Sequence, residues 1–183
     1  QQVLWVNETT QPGRILVGST MYVIRQHDWP HDEMMETRVI AAMLAAGEGG
    51  NGNAAMSKVA FLQYNDFFFK RHAFVWKAMK KLHKSNTQID IATVSNELRE
   101  ANVLEKIGGE AALIKLANIN AVSLESYATK IQDYALRRAM IVAADFQRDL
   151  AYQRGELPEI AAKALRVQQE VTHRIFNIGD KQS

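Results

Sequence analysis

The feature that most constrains the fold is a stretch without glycine or proline that runs from Ser123 to the residue before Gly155. Serine is a common N-cap of helices and glycine commonly follows their last residue, so the stretch predicts one unbroken helix. About 30 helical residues measure roughly 45 Å, which is longer than a small globular domain is wide. Pro158 favours a second helix start, and the helical pattern then continues to about Phe176. Two long helices with a short link predict an antiparallel helical hairpin over residues 123–177.

The outer surface of this hairpin is more apolar than one partner helix can cover. Most residues between Ala135 and Phe146 are apolar, so the first helix carries apolar side chains nearly all round. The second helix covers one side. We expect the other side to pack against a second copy of the chain, unless the rest of the chain folds back over it. The residues predicted to take part in self-association are Leu136, Met140, Ala143, Val167 and Val171.

Residues 32–122 read as a series of shorter amphipathic helices, which together form a small helical head. Asp32 and Asp90 are each placed to cap a helix, and apolar residues recur at intervals of three and four after both of them. A loop rich in glycine and asparagine follows the first of these helices. Head and hairpin together predict an all-α fold.

Residues 1–31 differ from the rest and are interpreted as an N-terminal extension without an assigned role. The segments Val3–Val6 and Arg14–Ile24 are rich in β-branched and aromatic residues, and turn-forming residues lie between them. This pattern is compatible with a short two-stranded β-ribbon. At the other end of the chain, residues 178–183 are predicted to begin a linker.

The formal net charge is only +2, but the charge is unevenly distributed. Six basic residues and no acidic one lie between Lys70 and Lys84, where apolar residues also recur at helical spacing. We therefore predict an amphipathic helix with a basic outer face, which is either solvated or in contact with phosphates or an acidic partner. Trp76 alone interleaves with the lysines, so a base-stacking platform has little support. The basic-face residues are Lys70, Lys77, Lys81 and Lys84.

Several functional classes are disfavoured by residues that the sequence lacks. There is no cysteine, which excludes disulfides, thiolate zinc sites and cysteine nucleophiles. No apolar run approaches the length of a membrane span, and we expect a cytoplasmic protein without membrane contact. Gly47 and Gly52 have the spacing of a phosphate-binding loop, but Asn53 and Ala54 replace its lysine and its serine or threonine. We predict no catalytic residue, cofactor or metal site in this chain.

Several short strings occur in a characteristic order between Met34 and Ile178. They are Asn65-Asp66-Phe67-Phe68 before a helix with a histidine, Ile89-Asp90 followed by Thr93-Val94 and Leu98, Leu104 with Ile107-Gly108-Gly109, Tyr127-Ala128 with Ile131, and Leu136-Arg137-Arg138. No single string is diagnostic, but their order and spacing together resemble the N-terminal domain of DnaB-type replicative DNA helicases. A longer glycine-rich loop, and the absence of a proline before the long helix, indicate a divergent member.

The resemblance implies a domain that performs no chemistry itself. It implies pairing of hairpins between subunits, which builds a hexamer as a trimer of dimers, and docking of primase or a helicase loader during DNA replication. It also implies that ATP and Mg are bound, and DNA is mainly contacted, by a motor domain further along the parent protein. The alternative interpretation is a stand-alone nucleic-acid-binding protein that uses the basic helix over residues 70–84.

Overall fold

The chain folds into α-helices over most of its length, which confirms the predicted all-α class. The computed structural model describes the backbone of residues 14–17, 20–23 and 29–179 and the side chains of residues 29–175. The chain divides into two compact units, Gln1–Pro30 and His31–Ser183. The helices described in the second unit are α1 (Glu33–Glu48), α2 (Gly52–Lys58), α3 (Lys70–Lys84), α4 (Ile91–Glu100), α5 (Gly109–Ala117), α6 (Leu124–Ala151) and α7 (Leu157–Gly179).

The first unit contains a β-hairpin that differs from the predicted ribbon. Strands β1 (Arg14–Val17) and β2 (Thr20–Val23) pair antiparallel, with Val17 opposite Thr20. Both strands therefore lie inside the segment that was interpreted as one strand. The sequence signal for this arrangement is the Gly18-Ser19 pair between them, a dipeptide typical of two-residue hairpin turns. The predicted first strand, at Val3–Val6, lies outside the described residues.

Both aspartates that were predicted to cap helices do so. Asp32 Oδ1 accepts a hydrogen bond of 3.0 Å from the backbone N–H of Met35 at the start of α1. Asp90 forms a reciprocal capping box at the start of α4, in which it accepts from the Thr93 N–H at 2.8 Å and its own N–H donates to Thr93 Oγ1 at 3.0 Å. These contacts satisfy backbone donors that a helix start otherwise leaves unpaired.

The glycine spacing that resembles a phosphate-binding loop has a packing explanation. The backbone of Ile89 passes so close to the end of α1 that a Cβ on Gly47 would lie 1.8 Å from the Ile89 carbonyl oxygen. A Cβ on Gly52 would lie 2.6 Å from the same oxygen. Gly47 and Gly52 therefore allow α1, α2 and the segment before α4 to approach one another closely.

The hydrophobic core of the second unit fills the space among α1, α3 and α4 and continues into α6. Trp76 is fully buried, and its indole N–H donates to the Leu62 carbonyl at 3.0 Å. Ala128 and Ile131, in the first turns of α6, belong to the same core. The long helix thus begins inside the head, and only its later turns rely on α7 for cover. α6 ends at Ala151, slightly before Gly155, and α7 packs along it.

Candidate interaction surfaces

A seam of apolar side chains joins α6 to α7. Leu136, Ala143 and Leu150 recur every seven residues along α6, and all three are buried within the chain. Val171 of α7 is also buried, and Val167 is half-buried. Side chains seven residues apart lie on the same side of a helix, which is the pattern by which paired helices pack.

This seam corrects part of the predicted self-association surface. Leu136, Ala143 and Val171 face the interior of their own chain, so they are not available to a second one. The prediction was wrong for these residues because it assigned part of the seven-residue seam to the outer side. Of the predicted residues, Met140 is 53% exposed.

An exposed apolar surface nevertheless remains on the hairpin, and Met140 is its one member among the residues predicted for self-association. Large apolar side chains project from α6 around the seam, because successive residues of a helix are about 100° apart. Met140 lies on one flank of the seam, whereas Val142 and Phe146 lie on the other. We name this set the hairpin apolar surface; its members are Met140, Ile141, Val142, Phe146 and Leu165, each at least 38% exposed.

The four residues of the predicted basic face are all exposed on α3, but they differ in their partners. Lys81 forms an ion pair with Glu97 of α4, and this hydrogen bond is the main reason that the pKa of Lys81 is raised. Lys70, Lys77 and Lys84 have no carboxylate within 4.0 Å among the described residues. Of the four residues predicted for the basic face, three therefore carry a charge that no carboxylate among the described residues offsets.

The aromatic residue beside these lysines is not the one that the sequence indicated. Trp76 is buried in the core, so it cannot interleave with the exposed lysines. Instead, Tyr64 comes from the 3-10 turn that precedes α3 and is 48% exposed. Lys77 Nζ lies 5.6 Å from the centre of the Tyr64 ring, within the range of a cation–π contact. Tyr64 could not be found by periodicity, because it lies outside the helix.

A buried polar cluster fixes the segment before α3 against α1. Both Glu36 and His72 are 2% exposed. The Glu36 carboxylate accepts hydrogen bonds from the backbone N–H groups of Phe68, at 2.6 Å, and Phe69, at 3.2 Å, and contacts His72 Nδ1 at 2.9 Å. These partners satisfy the carboxylate inside the head, which is typical of a structural role.

A second part of this cluster ties the hairpin to the head. Asp66 accepts from the Gln63 N–H at 2.8 Å and lies 3.3 Å from a guanidinium nitrogen of Arg174, near the end of α7. Arg138 of α6 donates to the Asp66 carbonyl. Burial raises the pKa of Asp66, although Arg174 and Arg138 act in the opposite direction, and burial lowers the pKa of Arg138.

The described part of the chain contains no group of three or more His, Asp and Glu side chains placed to hold a metal ion. A groove where α1, α2 and the start of α6 meet is lined mainly by small or apolar residues, and its charged residues, Lys58 and Glu125, are 3.5 Å apart in an ion pair. Among the described residues, the candidate interaction surfaces are thus the hairpin apolar surface and the exposed lysines of α3.

Helices that are long and apolar enough to cross a bilayer do not occur among the described residues.

Comparison with protein families gives one match, which covers more than half of the chain. A family model described as "DnaB-like helicase N terminal domain" matches residues 28–133. The match includes the head and the first turns of α6, and it ends before the first residue of the hairpin apolar surface.

Curated relatives carry the names of replicative helicases. A "Probable replicative DNA helicase" of Trieres chinensis is 37% identical over 114 residues, which are 61% of this chain and 24% of that protein. The "Replicative DNA helicase DnaB" of Synechocystis sp. is 34% identical over 102 residues, which are 54% of this chain and 12% of that protein. The chain thus spans about a quarter or less of the length of these relatives.

A solved structure shares the fold. The crystal structure of the N-terminal domain of DnaB helicase from Mycobacterium tuberculosis aligns with a TM-score of 0.68 and 25% sequence identity. The alignment covers 78% of this chain and 98% of that one. The similarity therefore includes nearly all of that N-terminal domain.

Proposed function

Since the chain belongs to the family of DnaB-like helicase N-terminal domains, we propose that it is the non-catalytic assembly domain of a replicative DNA helicase. The parent protein would unwind DNA in the cytoplasm with ATP and Mg bound in a motor domain elsewhere in its sequence. The names of the relatives, and the fraction of their length that this chain spans, support this division. The exposed features of the chain, which suit contacts with other molecules, also support it.

The hairpin apolar surface is the observation that carries the proposal. Two copies that pack their hairpins side by side bury Met140 and its neighbours, which a single chain leaves partly exposed. Exposed apolar surface of this kind marks interaction sites in soluble proteins. Three such dimers then form a hexamer, the arrangement that a ring-shaped helicase requires.

The second flank of the surface is proposed to dock a partner. A dimer that uses the Met140 flank leaves Val142 and Phe146 available on the opposite side of the seam. In this family a primase or a helicase loader is the expected occupant. Val142→Glu is therefore expected to weaken binding of a primase encoded by the same genome while the dimer persists.

Met140→Glu tests the self-association directly. A charge buried without a partner in an interface costs several kcal/mol, so this variant is expected to have a lower oligomer order than the unmodified chain. Sedimentation velocity over a wide range of protein concentrations measures the change. Because Met140 is 53% exposed in the single chain, the fold itself is expected to survive the substitution.

Ser126→Glu is the matched control, because it introduces the same charge at an exposed position of the same helix. It is expected to leave the oligomeric state unchanged. A chain that stays monomeric at the highest concentration, or two glutamate variants with the same effect, would contradict assembly through the hairpin.

A further inference from the structure

Three exposed lysines form a straight row along α3. Lys70, Lys77 and Lys84 are separated by seven residues each, so they lie on the same side of the helix, about 10 Å apart. The row is roughly 20 Å long from first to last. It runs the length of the helix on the side opposite to the buried residues Val75 and Met79.

The other cations of this helix have partners, which distinguishes the row from a generally charged surface. Arg71 pairs with Glu33 of α1, and Lys81 pairs with Glu97 of α4. The Lys80 ammonium donates to the Ala60 carbonyl at 2.7 Å, and burial lowers its pKa. Carboxylates offset the charges of Arg71 and Lys81, and Lys80 is half-buried against a carbonyl oxygen. Lys70, Lys77 and Lys84 therefore remain as exposed cations of this helix that no carboxylate among the described residues offsets.

An aromatic ring lies beside the middle of the row. Tyr64 is 48% exposed, and its ring is 5.6 Å from Lys77 Nζ. A tyrosine ring next to an ammonium group can stack on a nucleobase while the lysine binds the adjoining phosphate. Only an unpaired base exposes its face to such a ring, which favours a single strand over a duplex.

We propose that Lys70, Lys77, Lys84 and Tyr64 form a contact surface for single-stranded nucleic acid. The lysines bind phosphates at intervals along the strand, and Tyr64 stacks on a base between them. This surface lies on the head, whereas the proposed assembly surface lies on the hairpin. The inference therefore does not depend on the proposed oligomer.

The expected strength of salt dependence follows from the number of lysines. Each phosphate neutralised on a single strand adds about −0.7 to the slope of log affinity against log salt, so three contacts give a slope of about −2. Affinity is then expected to fall roughly 20-fold between about 50 and 200 mM salt. This slope is small compared with that of a protein that makes many phosphate contacts.

Fluorescence anisotropy of a labelled oligothymidylate tests the proposal. The triple variant Lys70→Gln, Lys77→Gln, Lys84→Gln is expected to lose most of the binding and nearly all of the salt dependence. The control is Lys106→Gln, Lys115→Gln, Lys130→Gln, which changes the net charge by the same amount at exposed lysines outside the row. The control is expected to keep the slope of about −2. Circular dichroism establishes that both variants are folded.

Substitutions of Tyr64 test the contribution of base stacking to the affinity separately from the charge of the lysines. Tyr64→Ala is expected to weaken binding about fivefold or more, because stacking contributes on the order of 1 kcal/mol or more for each base. Tyr64→Phe keeps the ring and is expected to bind nearly as well as the unmodified chain.

Three results would overturn the inference. The first is no binding at low salt. The second is an equal loss of affinity in the two triple variants. The third is tighter binding of a polyglutamate peptide, or of a DNA duplex, than of the oligothymidylate, since the row would then serve an acidic protein or a double strand.

Discussion

The head and the outer half of the hairpin are both helical, but they differ in how they cover their apolar side chains. In the head, residues such as Trp76 and Met43 are surrounded by several helices and are fully buried. In the outer half of the hairpin, α7 is the neighbour of α6 among the described helices, so a seam is buried while Met140 and Phe146 stay partly exposed. The head thus buries its largest apolar side chains within a single chain, whereas the hairpin leaves several apolar side chains of one helix exposed for a second molecule.

Truncation of one large aromatic side chain in each region is expected to give the largest change in the free energy of unfolding. The size of that change is expected to differ between the head and the hairpin. Trp76→Ala removes a buried ring and its hydrogen bond, so it should lower the free energy of unfolding by about 3–5 kcal/mol. Phe146→Ala removes a ring that is 41% exposed and should cost less than about 1.5 kcal/mol in the monomer. Urea unfolding at low protein concentration measures both. Equal costs would show that the outer hairpin is as well packed as the head.

A substitution at the close approach between α1 and Ile89 is expected to give an intermediate loss of stability. Gly47→Ala places a Cβ 1.8 Å from a backbone oxygen that cannot move alone, so we expect a loss of about 1–3 kcal/mol. Gly49→Ala is the control, because its Cβ would meet nothing closer than 3.6 Å and its φ is −81°. It is expected to change stability by less than about 0.5 kcal/mol. Thermal unfolding of the two variants would contradict this explanation if their melting temperatures were alike.

The smallest expected effect is a pH dependence of the free energy of unfolding, which arises from Asp66 at the contact between head and hairpin. Because burial raises the pKa of Asp66, the folded chain binds more protons at this group than the unfolded chain, between the usual pKa of 3.8 and the raised value. The slope of unfolding free energy against pH from this group is therefore negative there. The stabilisation is present below the usual pKa and is lost as the pH rises through the raised one.

Comparison of the unmodified chain with Asp66→Asn isolates this contribution. The difference in unfolding free energy, unmodified minus variant, is expected to decrease as the pH rises from about the unperturbed value near 4. Urea titrations at a series of pH values measure it. A difference that increases with pH would mean that the arginines, and not burial, dominate the environment of Asp66.

Much of the head was predictable because its signals are local. Asp32 and Asp90 were predicted as caps, and the basic helix has the bounds expected from its charge and apolar spacing. The interaction surfaces were less predictable, because each depends on contacts between residues that are distant in the sequence. The ion pair of Lys81 with Glu97 spans 16 positions, and the contact of Lys77 with Tyr64 crosses a helix boundary.

The sequence also did not determine which apolar residues of α6 belong to the buried seam and which to the hairpin apolar surface. When a helix is apolar nearly all round, the pattern does not indicate which side faces the rest of the chain. From the sequence alone, Leu136 and Ala143 were therefore assigned to the outer side. The packed structure buries both within the chain and leaves Ile141, Val142 and Phe146 exposed.

The sequence by itself determined that this chain is helical, where its capped helices begin, that a long hairpin follows the head and which family it resembles. Those properties follow from periodicity, capping residues and the order of short strings, all of which are local. Only the tertiary structure decided which apolar residues remain exposed, which lysines remain unpaired and which aromatic ring lies beside them. Those properties depend on the neighbours that each side chain finds after folding.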